Sequence, residues 1–260
     1  MLRSRIIPCL LMHKKGLVKT INFKNSKYVG DPINAVKIFN EKEVDELMII
    51  DIDATAENYE PDYDLIKKIA NESRMPICYG GGVKNSSQAT KISKLGVEKI
   101  AISSSIFNDF SIINEISESI GKQSVVVVLD VKKNFIGKYE IYTNNGKNKV
   151  QHSLDSVLDN LEKIGIGELV INSIDRDGTM LGYDLNLARK VRKKISSPLT
   201  VLGGAKNEQD ILKLIDEFEI IGAAVGSMFV FKGPYKAVLI NYINDKVRLK
   251  VIEKANKKEL

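Results

Sequence analysis

The 260-residue chain has no tryptophan, two histidines, two cysteines and six prolines. His13 and His152 stand far apart, and Cys9 and Cys78 lie inside apolar runs without metal-ligand spacing. No metal site and no cofactor is therefore expected, and the cysteines suit a reducing compartment. No stretch approaches the ~20 consecutive apolar residues of a membrane helix. The opening MLRSRIIPCL runs directly into a packed-looking segment with no small-residue cleavage site, so the expectation is a cytoplasmic protein without membrane insertion. With 43% hydrophobic and 28% charged residues, disordered and fibrous classes are excluded.

A formal charge of +6 invites a nucleic-acid reading, but residues 246–260 hold six Lys or Arg and two acids, a net of +4. The rest of the chain carries only +2, so a basic C-terminal tail at 246–260 accounts for the excess and no nucleic-acid partner is expected.

What is present is a rhythm. Apolar runs at 5–10, 46–52, 76–79, 98–103, 124–130, 168–174, 198–202 and 222–226 alternate with helical patterns near 32–43, 61–72, 85–94, 108–119, 153–164, 184–195, 207–217 and 234–244. Eight units of about 32 residues, with strands apolar on both faces, predict a single (β/α)8 barrel over 1–245, a TIM barrel; a doubly wound sheet is the alternative. The halves echo each other. Gly80-Gly81-Gly82 after the third strand matches Gly203-Gly204 after the seventh, and Ser103-Ser104-Ser105 after the fourth matches Gly226-Ser227 after the eighth. A duplicated half-barrel follows. Two longer excursions, 12–30 and 132–151, fall on the face where barrel loops act as lids. Tyr139 and Tyr142 read as packing for the second of these.

Glycines before helix starts let backbone N–H groups approach a phosphate at the positive end of the helix. Gly81, Gly82 and Ser104 on one side, and Gly203, Gly204 and Ser227 on the other, predict two phosphate pockets across the barrel mouth; tight turns alone are the simpler reading. Asp130 closes the fifth strand, where an acid can move protons at the mouth or merely cap a turn. The duplication places its partner position at Leu11, which cannot. Lys19, in a glycine-flanked segment, either reaches a phosphate from a lid or is solvated.

Strand alternation puts Arg5, Ile7, Cys9 and Leu11 on one face; Glu46, Met48 and Ile50, then Lys99, Ala101 and Ser103, then Glu168, Val170 and Asn172 do likewise. Inward at the bottom, Arg5, Glu46, Lys99 and Glu168 balance as a ring. Such a ring is either a closed plug or a gate through which neutral ammonia passes more cheaply than ammonium.

The pieces RIIPCL, GDP at 30–32, DELMIID, GGG at 80–82, VVVLDVK, YEIYTNNG, SIDRDGT and GGA at 203–205 resemble the cyclase subunit of imidazole glycerol phosphate synthase over roughly residues 1–244. The resemblance implies a barrel that takes ammonia from a glutaminase partner docked at its bottom. It implies an ammonia gate at Arg5, Glu46, Lys99 and Glu168, a loop lysine at Lys19, and phosphate sites that include Ser103, Asp177, Gly178 and Gly226. It also implies a catalytic pair at positions 11 and 130, of which only Asp130 is an acid here. Ser103 stands for the family's asparagine and Asn172 for its threonine. Leu11 within CLL, with the ending VFKGPYKAVLINY, looks like a divergent branch associated with acetamidino sugars of surface polysaccharides. That branch implies a synthase- or lyase-type subunit of a glutamine amidotransferase complex, with an ATP-dependent sugar amidotransferase as a further partner and a phosphorylated or nucleotide-sugar ligand. The alternatives are a histidine-pathway cyclase in which Glu57, Asp53 or His13 supplies the acid, and a non-catalytic phosphate-binding scaffold.

Overall fold

The computed structural model describes residues 3–256. Eight parallel strands form a closed ring: β1 (Arg5–His13), β2 (Leu47–Asp51), β3 (Ile77–Gly80), β4 (Lys99–Ile102), β5 (Val125–Lys133), β6 (Glu168–Ser173), β7 (Leu199–Leu202) and β8 (Gly222–Val225). Each pairs with its neighbours in chain order, and β8 pairs back to β1 with Arg5 opposite Gly222. Helices α1 (Pro32–Glu41), α2 (Tyr63–Glu72), α3 (Ser86–Ser93), α4 (Ser111–Ile120), α5 (Leu154–Ile164), α6 (Leu185–Arg192), α7 (Glu208–Phe218) and α8 (Asp245–Asn256) follow the strands in turn. The chain is a (β/α)8 barrel. No helix among the described residues is long and apolar enough to cross a membrane.

Two apolar clusters reflect the two faces of the strands. Ile6, Leu10, Leu47, Ile49, Val127, Leu129, Leu169 and Ile171 point outward and meet the helices. Ile7, Cys9, Met48, Cys78, Ala101, Val126, Val128, Val170, Leu202 and Ala224 fill the interior, with Leu11 and Ile50 against them. The alternation read from the sequence therefore holds.

Side-chain caps start the helices just past the strand C-termini: Asp31, Asp62, Asn85, Ser153, Asp184 and Asn207 each accept from the backbone N–H three residues on. Asn85 and Asn207 are 122 residues apart, as are Gly81 and Gly203, and both adopt the same extended backbone. The duplication thus reaches into local geometry.

Three boundaries differ from expectation. β1 runs three residues longer, to His13, because Leu11–His13 pair antiparallel with the strand Gly16–Ile21, which in turn pairs with Lys24–Gly30. β5 likewise runs three residues longer, to Lys133, because Asp130–Lys133 pair with the strand Tyr139–Thr143, which makes the excursion the hairpin its polar sequence suggests. The eighth helix expected near 234–244 is absent there. That stretch holds the short antiparallel pair Phe231–Lys232 and Ala237–Val238, and the helix begins at Asp245, where the Asn244 side chain accepts from Val247 N. The basic run expected as a tail from 246 is helical through Asn256 and buries Val247 and Val251 in the core; residues 257–260 lie outside the described ones.

Candidate functional site

At the bottom of the barrel the four predicted charges meet. Arg5 donates to Glu46 and, at 2.8 Å, to Glu168; Lys99 donates to Glu46 at 2.7 Å and Glu168 at 2.8 Å. Each cation bridges both carboxylates, so the ring is closed. Thr200 adds a hydroxyl donor to Glu168. The two glutamates are 3% exposed, yet neutral overall charge and shared hydrogen bonds make their burial tolerable. Burial works against the Lys99 ammonium, but the adjacent Glu168 and Glu46 charges more than offset it and hold its pKa above the ordinary lysine value. Burial also works against the Glu168 carboxylate, and Arg5 and Lys99 together keep it below its usual range. Above the ring lies the apolar interior layer that includes Ile7, Cys78, Val126 and Val170.

At the top, a cavity of about 700 Å³ opens among the strand C-termini. Its wall brings together every residue expected there: Leu11, Lys19, Gly81, Gly82, Ser103, Ser104, Asp130, Asp177, Gly178, Gly203, Gly204, Gly226 and Ser227. On one side, Gly81 and Gly82 lead to α3 while Ser103 precedes a single 3-10 turn, Ser104–Phe107. On the other, Gly203 and Gly204 lead to α7 while Gly226 precedes the 3-10 turn Ser227–Phe229. Each side thus forms a glycine-walled cradle at a helix start, beside the 3-10 turn of the neighbouring strand end.

Asp130 and Asn172 are register partners on β5 and β6, and the Asn172 amide donates to the carboxylate at 2.9 Å. Burial pushes the Asp130 carboxyl up to about 7, with the nearby Asp177 charge adding to the rise and the Asn172 hydrogen bond opposing it. The Asn172 carbonyl oxygen is buried beside the cavity without a hydrogen-bond partner. β1 is four strands from β5 in either direction round the ring, so Leu11 stands across the mouth; it and its register partner Ile50 both pack on the interior cluster. None of the sequence-stated substitutes for the missing acid lines the cavity. His13 and Asp53 pair with each other at 2.8 Å outside it, and Glu57 is likewise outside. Asp51 does line it, but one carboxylate oxygen already accepts from Asp53 N, Ala54 N and the Tyr59 hydroxyl. His152 packs edge-on against Phe110, away from the cavity.

The two excursions meet over the mouth. Thr20 and the Phe23 N–H donate to the Asp177 carboxylate, Asn22 donates to Ile174 O, and Asn145 reaches Ile52 O. Asp177 therefore anchors the first hairpin. Gly178 makes that approach feasible: at φ +68°, an added Cβ would lie 1.9 Å from Thr20 O. The hairpin turns Lys19 inward, where its ammonium donates to Cys9 O at 2.5 Å beside Gly226. Burial lowers the Lys19 pKa, partly offset by Asp177. Lys19 is thus a buried cation over the second cradle rather than a solvated one. Sequence reasoning missed Thr20, Asn22 and Asn145, which lock the hairpins; polar residues in long loops gave no pattern to single them out.

A family described as "Histidine biosynthesis protein" matches residues 5–236. The chain is 53% identical over 97% of its length, and 98% of the relative's, to a Vibrio vulnificus protein named "Putative imidazole glycerol phosphate synthase subunit hisF3". It is 47% identical to a similarly named subunit hisF2 from Pseudomonas aeruginosa, covering 93% of this chain and 96% of that one. It is 33% identical to the imidazole glycerol phosphate synthase subunit HisF of Alkaliphilus metalliredigens, covering 88% and 91%. With the closed barrel and its duplicated strand ends, these likenesses establish that the chain belongs to the histidine biosynthesis protein family, as a HisF-like barrel.

Proposed function

We propose that this chain is the ammonia-accepting barrel subunit of a cytoplasmic glutamine amidotransferase system that converts an acetamido group on a nucleotide sugar into an acetamidino group. A glutaminase docks at the bottom, and ammonia passes the Arg5–Glu46–Lys99–Glu168 ring toward the upper cavity. An ATP-dependent partner activates the amide oxygen; ammonia adds to the amide carbon, the activated oxygen leaves with the group taken from ATP, and the nitrogen loses a proton. The observation that carries the reading is Leu11 across from Asp130, in a cavity whose other acids, Asp51, Asp109, Glu115 and Asp177, each already accept a backbone or hydroxyl hydrogen bond. Loss of one positioned acid or base costs a proton-transfer reaction about 10²–10⁴-fold, whereas receiving ammonia needs only the ring and the interior. The paired cradles suit a ligand with two phosphates, held at the mouth with Lys19.

A second reading, a histidine-pathway cyclase, is favoured by Asp130 itself, because a carboxyl near 7 suits a single group that both takes and returns a proton. One experiment separates the two. The purified barrel is mixed with the doubly phosphorylated cyclase substrate and ammonium salt at raised pH, and imidazole formation is followed. Turnover several orders of magnitude below an efficient cyclase is expected; rapid turnover would overturn the amidino reading.

A further inference from the structure

Among the described residues, eleven large apolar side chains are exposed, and nine of them sit on segments that leave strand C-termini, on the cavity side of the barrel. Only Ile220, before β8, and Leu249, on α8, lie elsewhere. Isolated exposed apolar residues are ordinary, whereas adjacent ones held out together point to a contact surface. The extremes are Phe135, 99% exposed, Tyr235, 94%, and Ile136, 72%.

Phe135 and Ile136 form the tip of the hairpin that extends β5. The tip is held from within: Asn134 Oδ1 accepts from Ile136 N and Lys138 N, Asn134 N donates to Lys138 O, and Gly137 takes φ +80°. Two apolar side chains are thus presented on a rigid turn, so little ordering entropy opposes their burial against a partner. Charge adds direction. The segments 12–31, 131–153 and 226–244 carry twelve lysines against two acids, Asp31 and Glu140. Lys132 and Lys138, flanking the tip, are exposed.

We propose that this face docks a protein partner through Phe135 and Ile136, seated over the cavity mouth, and that the partner presents apolar sockets ringed by acidic residues. Resting on the proposed reaction, that partner is the ATP-dependent amidotransferase, so ammonia leaving the top of the barrel enters it without meeting bulk water. The neighbouring segment 52–62 holds exposed Glu57 and Glu60 and no basic residue; a protein partner can set its acidic rim over the lysine-rich segments and clear of this one, which a uniformly anionic lipid surface cannot.

The test assembles chain, glutaminase and amidotransferase with amide-¹⁵N glutamine and excess unlabelled ammonium. It reads complex formation by sedimentation and product label by mass spectrometry. Wild type is expected to retain the label. The double variant Phe135→Ser/Ile136→Ser, altered only at exposed positions, is expected to bind the amidotransferase about thirty-fold more weakly. Its product label should fall to the bulk ratio while glutamine hydrolysis is unchanged. A complex that forms through the tip yet makes no amidino sugar supports the docking face and sinks the reaction. Labelled product with no dependence on the tip overturns docking and leaves the reaction standing. Wild type sedimenting free of the amidotransferase also overturns docking, as does tip-dependent binding to phosphatidylserine vesicles or tip-dependent self-association in its place.

Discussion

Replacing Asp130 by asparagine tests the central electrostatic feature of the site. Burial pushes this carboxyl up to about 7, whereas in the unfolded chain an aspartate titrates near ~4. The native state therefore holds the proton more tightly than the unfolded state, and ionising Asp130 costs stability. The cost is absent below the unfolded value, grows as pH rises between the two, and is constant above about pH 7. Three units at ~1.4 kcal/mol each set a ceiling of about 4 kcal/mol. Roughly 2–3 kcal/mol of that falls between pH 5 and 8, less where water in the cavity screens the charge. Asparagine removes this pH-dependent cost while still offering Asn172 an oxygen to donate to. Urea unfolding of both proteins at pH 5, 6.5 and 8 should show the variant gaining on wild type by about that amount across the range. All other titrating groups cancel in the difference. A stability difference that does not change with pH would refute the argument, because it would mean that Asp130 ionises like an ordinary surface carboxylate.

Three further outcomes follow from other parts of the barrel. Leu11→Asp restores an acid across from Asp130 and should raise cyclase turnover with ammonium about 10²–10⁴-fold, giving a bell-shaped pH profile; no gain would mean position 11 does not face the reacting atoms. Lys99→Met leaves Glu46 and Glu168 sharing Arg5 alone, and should lower unfolding stability by about 3 kcal/mol in urea titration. Gly178→Ala forces a Cβ against Thr20 O and should release the 12–30 hairpin. Trypsin should then cut after Lys19 or Lys24 about ten-fold faster while the core unfolds as before; unchanged cleavage would show that the hairpin does not rely on this approach.

The fold and the site were legible where chemistry repeats on a period. Alternation along β1, β2, β4 and β6 was enough to put Arg5, Glu46, Lys99 and Glu168 inside, because a residue two places from an interior one must also face inward. The glycine pairs were legible because they occur twice at the same offset. The eighth helix was not. Ala237–Tyr242 looks helical by composition, but Gly233 at φ +73° and Lys236 at φ +48° turn the chain back on itself. The cap that starts the true helix is Asn244, ahead of a run whose charge hid the Val247–Val251 stripe. Asp177 was legible as a cavity residue but not as an anchor, since its partners Thr20 and Phe23 are more than 150 residues away.

The two ends of the barrel handle interior charge in opposite ways, and stability alone does not account for both. A buried ion-pair ring is often no more stabilising than a well-packed apolar layer of the same volume, and replacing such pairs is in many cases neutral or stabilising by about 1–4 kcal/mol. Were packing the only demand, the bottom would be expected to look like position 11, where a leucine packs on the interior apolar cluster. Instead the bottom holds four charges, with Thr200 recruited to satisfy Glu168 further. The ring is also the only part of the interior where a small polar molecule would find hydrogen-bond partners among the described side chains before the apolar layer above it. Neutral ammonia crosses that layer without the large desolvation penalty that ammonium meets. Charge at the bottom and leucine at the top are therefore what the proposed ammonia-accepting role asks of the barrel, with proton chemistry left to Asp130.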